Sequence, residues 1–174
     1  MAKKALLIIA QKDYQDREYE RTRAVLERGG LEVTVASGGG GTCIGRFGGS
    51  VQDTFPLKQV KVADFDCVAF IGGGGAEAYM RHPEALRIAH EAAAASLPLG
   101  AICIAPLILA KARVLEGKKA TVWDDGQRTQ IEMLERAGAT FTGDSVTVDG
   151  LIVTGNGAEA SEEFGRTLVE LTRS

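Results

Sequence analysis

Apolar runs and amphipathic stretches alternate along this chain from end to end. Lys4 to Ala10 is nearly continuous in apolar residues, the pattern of a strand buried on both faces. Asp16 to Arg28 is rich in helix formers, with Thr22, Val25 and Leu26 on one face, and Gly29-Gly30 stops it. Leu31 to Ala36 (LEVTVA) predicts a second strand, Cys67 to Ile71 a third and Leu97 to Ile102 a fourth. Gly38 to Gly41 and Gly45 to Gly49 bracket an expected loop, followed by a short edge strand at Ser50 to Thr54. Pro83 to Ser96 is Ala-rich and helical, with Pro83 at its first turn. A helix is expected from Cys103 to about Leu115, a strand at Lys119 to Val122 and a helix at Gln127 to Ala137 with Ile131 and Leu134 inward. Ser145 to Val148 and Leu151 to Thr154 flank Asp149-Gly150, which suits a type I′ hairpin turn. Phe164, Leu168 and Leu171 mark a closing helix.

This alternation predicts an α/β fold, a three-layer sandwich with a mostly parallel sheet and helices on both faces. With 174 residues and no repeat or linker, residues 1–174 are expected to form one domain. The net charge of −3 points neither to nucleic acid nor to an anionic membrane. No run approaches the roughly 20 apolar residues of a membrane span. The apolar segment behind Met-Ala-Lys-Lys is expected to be a core strand and not a signal peptide. Three cysteines at irregular spacing (Cys43, Cys67, Cys103) argue for a reducing, cytoplasmic setting. The two histidines, His82 and His90, lie in no metal-ligand spacing with cysteine, and no metal or cofactor is expected. Glycine is over-represented, with 22 residues clustered at turns, so tight loops near a site are expected.

The most informative stretch is Leu99 to Pro106 (LGAICIAP). A buried strand ends at Cys103 and a helix pattern follows at once, with Pro106 suited to its first turn. This predicts a nucleophile elbow built with sulfur, the thiol facing a helix N-terminus that favours the thiolate. In open parallel sheets, ligands bind outside the carboxyl ends of strands. Two other strand ends carry chemistry. The first strand leads into Asp13-Tyr14-Gln15-Asp16-Arg17-Glu18, and the third into Gly72-Gly73-Gly74-Gly75. A thiolate, backbone N–H donors on a glycine turn and a nearby carboxyl group suit attack on a carbonyl.

With ALLIIA, LEVTVAS, FIGGGG, GAICIAP and DGLIVTGNGAEASEEF in this order, the whole chain resembles the ThiJ/PfpI superfamily. That superfamily includes the parkinsonism-associated deglycase and PfpI-type intracellular peptidases. The resemblance implies a flavodoxin-like, Rossmann-like fold of the class I glutamine-amidotransferase type. It assigns Cys103 as the reactive cysteine and Glu18 as the acid that contacts the sulfur and is normally protonated. It also assigns Gly73 and Ile104 as N–H donors for an oxyanion and Arg46 as a pocket-lining arginine; Gly72, Gly74 and Trp123 are further pocket candidates from their places after the strands. A homodimer is implied as well. PfpI-type peptidases carry a histidine directly after the cysteine, where this chain has Ile104. The departure favours the glyoxalase and deglycase branch.

The expected function is therefore a cofactor-free, glyoxalase III-like or deglycase-like stress enzyme. It would convert 2-oxoaldehydes to 2-hydroxy acids or act on glycated groups. Two alternatives stand beside it: a PfpI-like cysteine peptidase or hydrolase with a borrowed base, and a non-enzymatic oxidative-stress sensor or chaperone with an oxidisable Cys103. Cys43 and Cys67 are expected to be structural, the histidines ordinary helix residues, and Gly38 to Gly41 a connection. Trp123 is open to pocket, core or dimer roles.

Overall fold

The computed structural model describes residues 1–174. Its strands are β1 (Lys4–Ile8), β2 (Lys12–Tyr14), β3 (Glu32–Ser37), β4 (Gly41–Gly45), β5 (Ser50–Pro56), β6 (Cys67–Phe70), β7 (Leu99–Ile102), β8 (Lys119–Ala120), β9 (Thr140–Phe141), β10 (Val146–Asp149) and β11 (Ile152–Gly155). The α-helices are α1 (Asp16–Arg28), α2 (Pro83–Ala94), α3 (Pro106–Lys111), α4 (Thr129–Arg136) and α5 (Ser161–Arg173). Nine strands form one sheet in the order β10-β11-β7-β6-β1-β3-β5-β4-β2, while β8 and β9 form a small parallel pair. From β11 across to β5 every neighbouring pair is parallel. Helices α1 and α5 cover one face, where Val25, Leu26, Phe164 and Leu168 pack on Leu7, Ile9 and Val153. Helices α2, α3 and α4 cover the other, where Ile88, Leu109 and Leu134 pack on Leu6, Ile8 and Phe70. This is the expected three-layer α/β sandwich of flavodoxin type.

Helix α1 has the predicted bounds because both ends are marked chemically. The Gln15 side chain accepts from the Glu18 N–H at 3.0 Å, and Gly30 closes the other end at φ +88°. Elsewhere the sequence expectations need correction. The expected loop after Gly38 contains β4, which pairs antiparallel with β5. The Ser50 to Thr54 segment is part of β5, an interior strand between β3 and β4, and the sheet edge is β2 instead. The helix after Cys103 is the short α3, and a 3-10 helix from Gly74 to Arg81 follows the glycine turn. In the β10–β11 hairpin Asp149 pairs with Ile152, so Gly150 and Leu151 form the loop. Only Gly150 has positive φ, +61°, the signature of a II′ rather than a I′ turn.

The chain leaves β1 toward β3 on one side and returns to β6 and β7 on the other. Strand order therefore reverses beside β1, and the carboxyl ends of β1, β6 and β7 open onto one crevice. No helix is long and apolar enough to cross a membrane.

Candidate active site

Cys103 stands directly after β7 with φ +64°, the left-handed region that non-glycine residues avoid. Its backbone is clamped on both sides. The Cys103 N–H donates to Gly155 O at 2.9 Å, and its carbonyl accepts from the Trp123 N–H at 2.9 Å. Pro106 then opens α3 at its first position. The predicted elbow is thus present, with the sulfur half-buried at its apex.

Glu18 lies in the first turn of α1 and is buried, with 1% of its surface exposed. Its Oε1 accepts from the Gly72 N–H at 2.9 Å, and Oε2 is buried and unpaired. The Gly72 carbonyl accepts from the Gln15 N–H at 2.9 Å, so the glycine turn is bonded twice to the start of α1. Glycine is required at this crossing. A Cβ on Gly72 would meet Cys103 Cβ at 2.5 Å and Glu18 Oε1 at 2.8 Å. Gly73 has φ +111°, and a Cβ there would meet Asp13 O at 2.5 Å.

The two titrating groups oppose one another. Burial raises the Glu18 carboxyl to about 7, against the Gly72 N–H and the Cys103 thiol, which favour the carboxylate. Burial also pushes the Cys103 thiol up to about 12, reinforced by the negative charge of Glu18. The neighbouring N–H groups of Ile104 and Gly73 favour the thiolate and pull the other way. The expected lowering of the thiol by a helix dipole is therefore outweighed. Desolvation and Glu18 dominate, and α3 is only six residues long. A thiolate at this position needs the proton on Glu18. That proton on Oε2 turns an unpaired buried acceptor into a donor beside the sulfur.

A cleft of about 450 Å³ opens over the pair. Arg46, Gly73, Gly74, Ile104 and Trp123 line it with Cys103 and Glu18, so most of the expected site residues converge. Gly72 lies beneath, buried, as their support. Trp123 is 42% exposed and serves as a cleft wall rather than core. Sequence reasoning missed Phe47 and Glu77, which also line the cleft. Phe47 sits in a glycine-rich turn and Glu77 in a helix whose glycines masked it. No histidine borders the cleft. His82 instead caps α2, its Nδ1 accepting from the Ala85 N–H at 3.4 Å, and His90 borders a different groove. Cys43 and Cys67 are fully buried. No group of three or more histidine, cysteine, aspartate or glutamate side chains is arranged to hold a metal ion.

The DJ-1/PfpI family model matches residues 3–171. An uncharacterised protein of Methanocaldococcus jannaschii is 33% identical, over 93% of this chain and 78% of its own length. A deglycase of Pyrococcus horikoshii is 30% identical, over 83% of this chain and 85% of its own. Among solved structures, the DJ-1beta of Drosophila melanogaster superposes with a TM-score of 0.88 at 29% identity. That match covers 100% of this chain and 92% of the other.

Proposed function

The chain belongs to the DJ-1/PfpI family, and from that membership and the geometry of its cleft we propose that it is a cysteine-dependent reactive-carbonyl enzyme. Its substrates would be 2-oxoaldehydes such as methylglyoxal, or the early adducts they form with amines. One observation carries this reading: Cys103, on a strained elbow, adjoins a buried carboxyl group poised near neutrality. A base with such a value is matched to working pH. Relatives named as deglycases support the same direction.

The steps follow from the groups present. The Glu18 carboxylate accepts the thiol proton as Cys103 Sγ bonds to the aldehyde carbon, and the carbonyl π pair moves onto oxygen. The N–H groups of Gly73 and Ile104, which neighbour the sulfur, would meet that negative charge. Return of the proton from Glu18 gives a hemithioacetal. Glu18 then removes the proton on the former aldehyde carbon and passes it to the ketone oxygen, giving an enediol. Glu18 takes the proton from the hydroxyl on the sulfur-bearing carbon and delivers it to the second carbon, which leaves a thioester, and water hydrolyses it to the 2-hydroxy acid and the free thiol. The aldehyde carbon is oxidised, its neighbour is reduced, and the balance needs only water.

The test is methylglyoxal conversion to lactate by the purified protein. Wild type should turn over without added cofactor, Cys103→Ser should be inactive, and Glu18→Gln should lose about 10²-fold or more in kcat. Unchanged conversion in Cys103→Ser would refute the proposal.

A further inference from the structure

Asp16 opens α1 two residues before Glu18, and its carboxylate is buried, with 6% of its surface exposed. It makes no contact with the reacting atoms. Instead its Oδ2 accepts from the Phe47 N–H and its Oδ1 from the Gly49 N–H, both at 2.8 Å. The turn is shaped around it: a Cβ on Gly45 would lie 2.6 Å from Asp16 Cγ, and one on Gly49 would collide with Asp16 Oδ1. The Arg46 N–H adds a bond to Tyr14 O at 2.9 Å. The Gly45–Gly49 turn is thereby docked onto the start of the helix that carries Glu18. This docking sets Arg46 and Phe47 in the cleft wall. The Arg17 and Arg46 guanidinium carbons lie 5.4 Å and 5.9 Å from the Phe47 ring centroid, so two cations sit by one exposed aromatic ring, and Arg46 is the one that lines the cleft. Two carboxyl groups share the cleft with Arg46: Glu77, exposed at its rim, and Glu18, buried and paired with the sulfur.

We propose that Asp16 is a positioning residue that holds the Arg46–Phe47 turn over Cys103, and that the turn makes the site favour electrophiles bearing an anionic group. Among reactive carbonyls this selects carboxylated or phosphorylated members. The inference takes Cys103 as the reacting atom, as the proposed function does, but does not need turnover.

Competitive labelling of Cys103 by iodoacetate and iodoacetamide tests it in the whole protein, read by peptide mass. In both reactions sulfur bonds to the methylene carbon, iodide leaves with the C–I pair, and the thiol proton is lost. The buried Cys43 and Cys67 do not compete. The iodoacetate-to-iodoacetamide rate ratio, divided by that of free 2-mercaptoethanol, should exceed unity in wild type. It should fall toward unity in salt near about 1 M, where screening acts within about 3 Å. Arg46→Gln and Asp16→Ala should each lower it by roughly twofold to fivefold, the size of an exposed ion pair. Asp16→Asn, which keeps one acceptor, should fall between. A purely structural role for Asp16 would slow or speed both reagents alike. Gly49→Ala, which forces the turn off Asp16 with the carboxylate retained, should reproduce the loss and decides the matter where Asp16→Ala does not fold. A wild-type ratio at or below that of the free thiol would overturn the proposal. So would an unchanged ratio in folded Asp16→Ala or Gly49→Ala.

Discussion

At the scale of single residues, Glu18 and Cys103 behave as one titrating unit. Glu18 is buried, the Cys103 sulfur is half-buried and the two are close, so the first anion they form opposes the second. The cost shows up as stability. Glu18 ionises near 4.5 unfolded and about 7 folded, so the native state holds a proton the unfolded chain has lost. Stability therefore falls as pH rises between those values and is level above them, a change of about 3 kcal/mol. Glu18→Gln removes the charge and should be more stable than wild type at pH 8 by a similar order, with little difference near pH 4. Thermal melts at the two pH values check this. An equal gap at both would mean that the carboxylate is not buried at a cost. The cysteine and the acid were legible in the sequence from the elbow pattern and the family motif. Their mutual opposition was not, because desolvation depends on what the fold stacks around them.

At the scale of elements, the site is a junction of three strand ends held by backbone bonds. The LGAICIAP run and the glycine cluster announced two of them, since an apolar strand broken by glycine or by Pro106 leaves few other readings. Strands β2 and β4 were hidden. β2 has three residues, two of them charged, and β4 is bounded by glycines with Cys43 inward and Ile44 outward over too short a span to register as alternation. Their pairing docks the Arg46 turn, so Phe47 and the docking role of Asp16 escaped notice with them. The glycines themselves can be ranked. Gly73→Ala meets both a strained φ and the Asp13 carbonyl, and should cost about 2–4 kcal/mol and impair Cys103 reactivity. Gly30→Ala has φ +88° but open space, and should cost only about 1 kcal/mol. Urea denaturation of the two variants separates close approach from backbone strain; equal losses would contradict the close packing at Gly73.

At the scale of the molecule, the parallel sheet is the frame on which the three strand ends meet. Phe164 of α5 is fully buried and packs under β7 and β11, where a Cβ on Gly100 would lie 2.7 Å from its ring. Phe164→Ala should therefore cost about 3–5 kcal/mol in urea unfolding. The three-layer architecture was legible because strand and helix periodicities alternate throughout. The strand order and the edge were not, because pairing partners lie far apart in sequence. All of this places one proton between Glu18 and Cys103, and the pH dependence of Cys103 alkylation by iodoacetamide tests that most directly. In wild type the rate should rise through a midpoint near 7 to a plateau, as the pair loses its first proton, whichever atom then holds the second. In Glu18→Gln that step should vanish and the midpoint should move to that of the sulfur alone. The same profile in both proteins, or a wild-type rate that climbs past pH 9 without a step, would contradict the account.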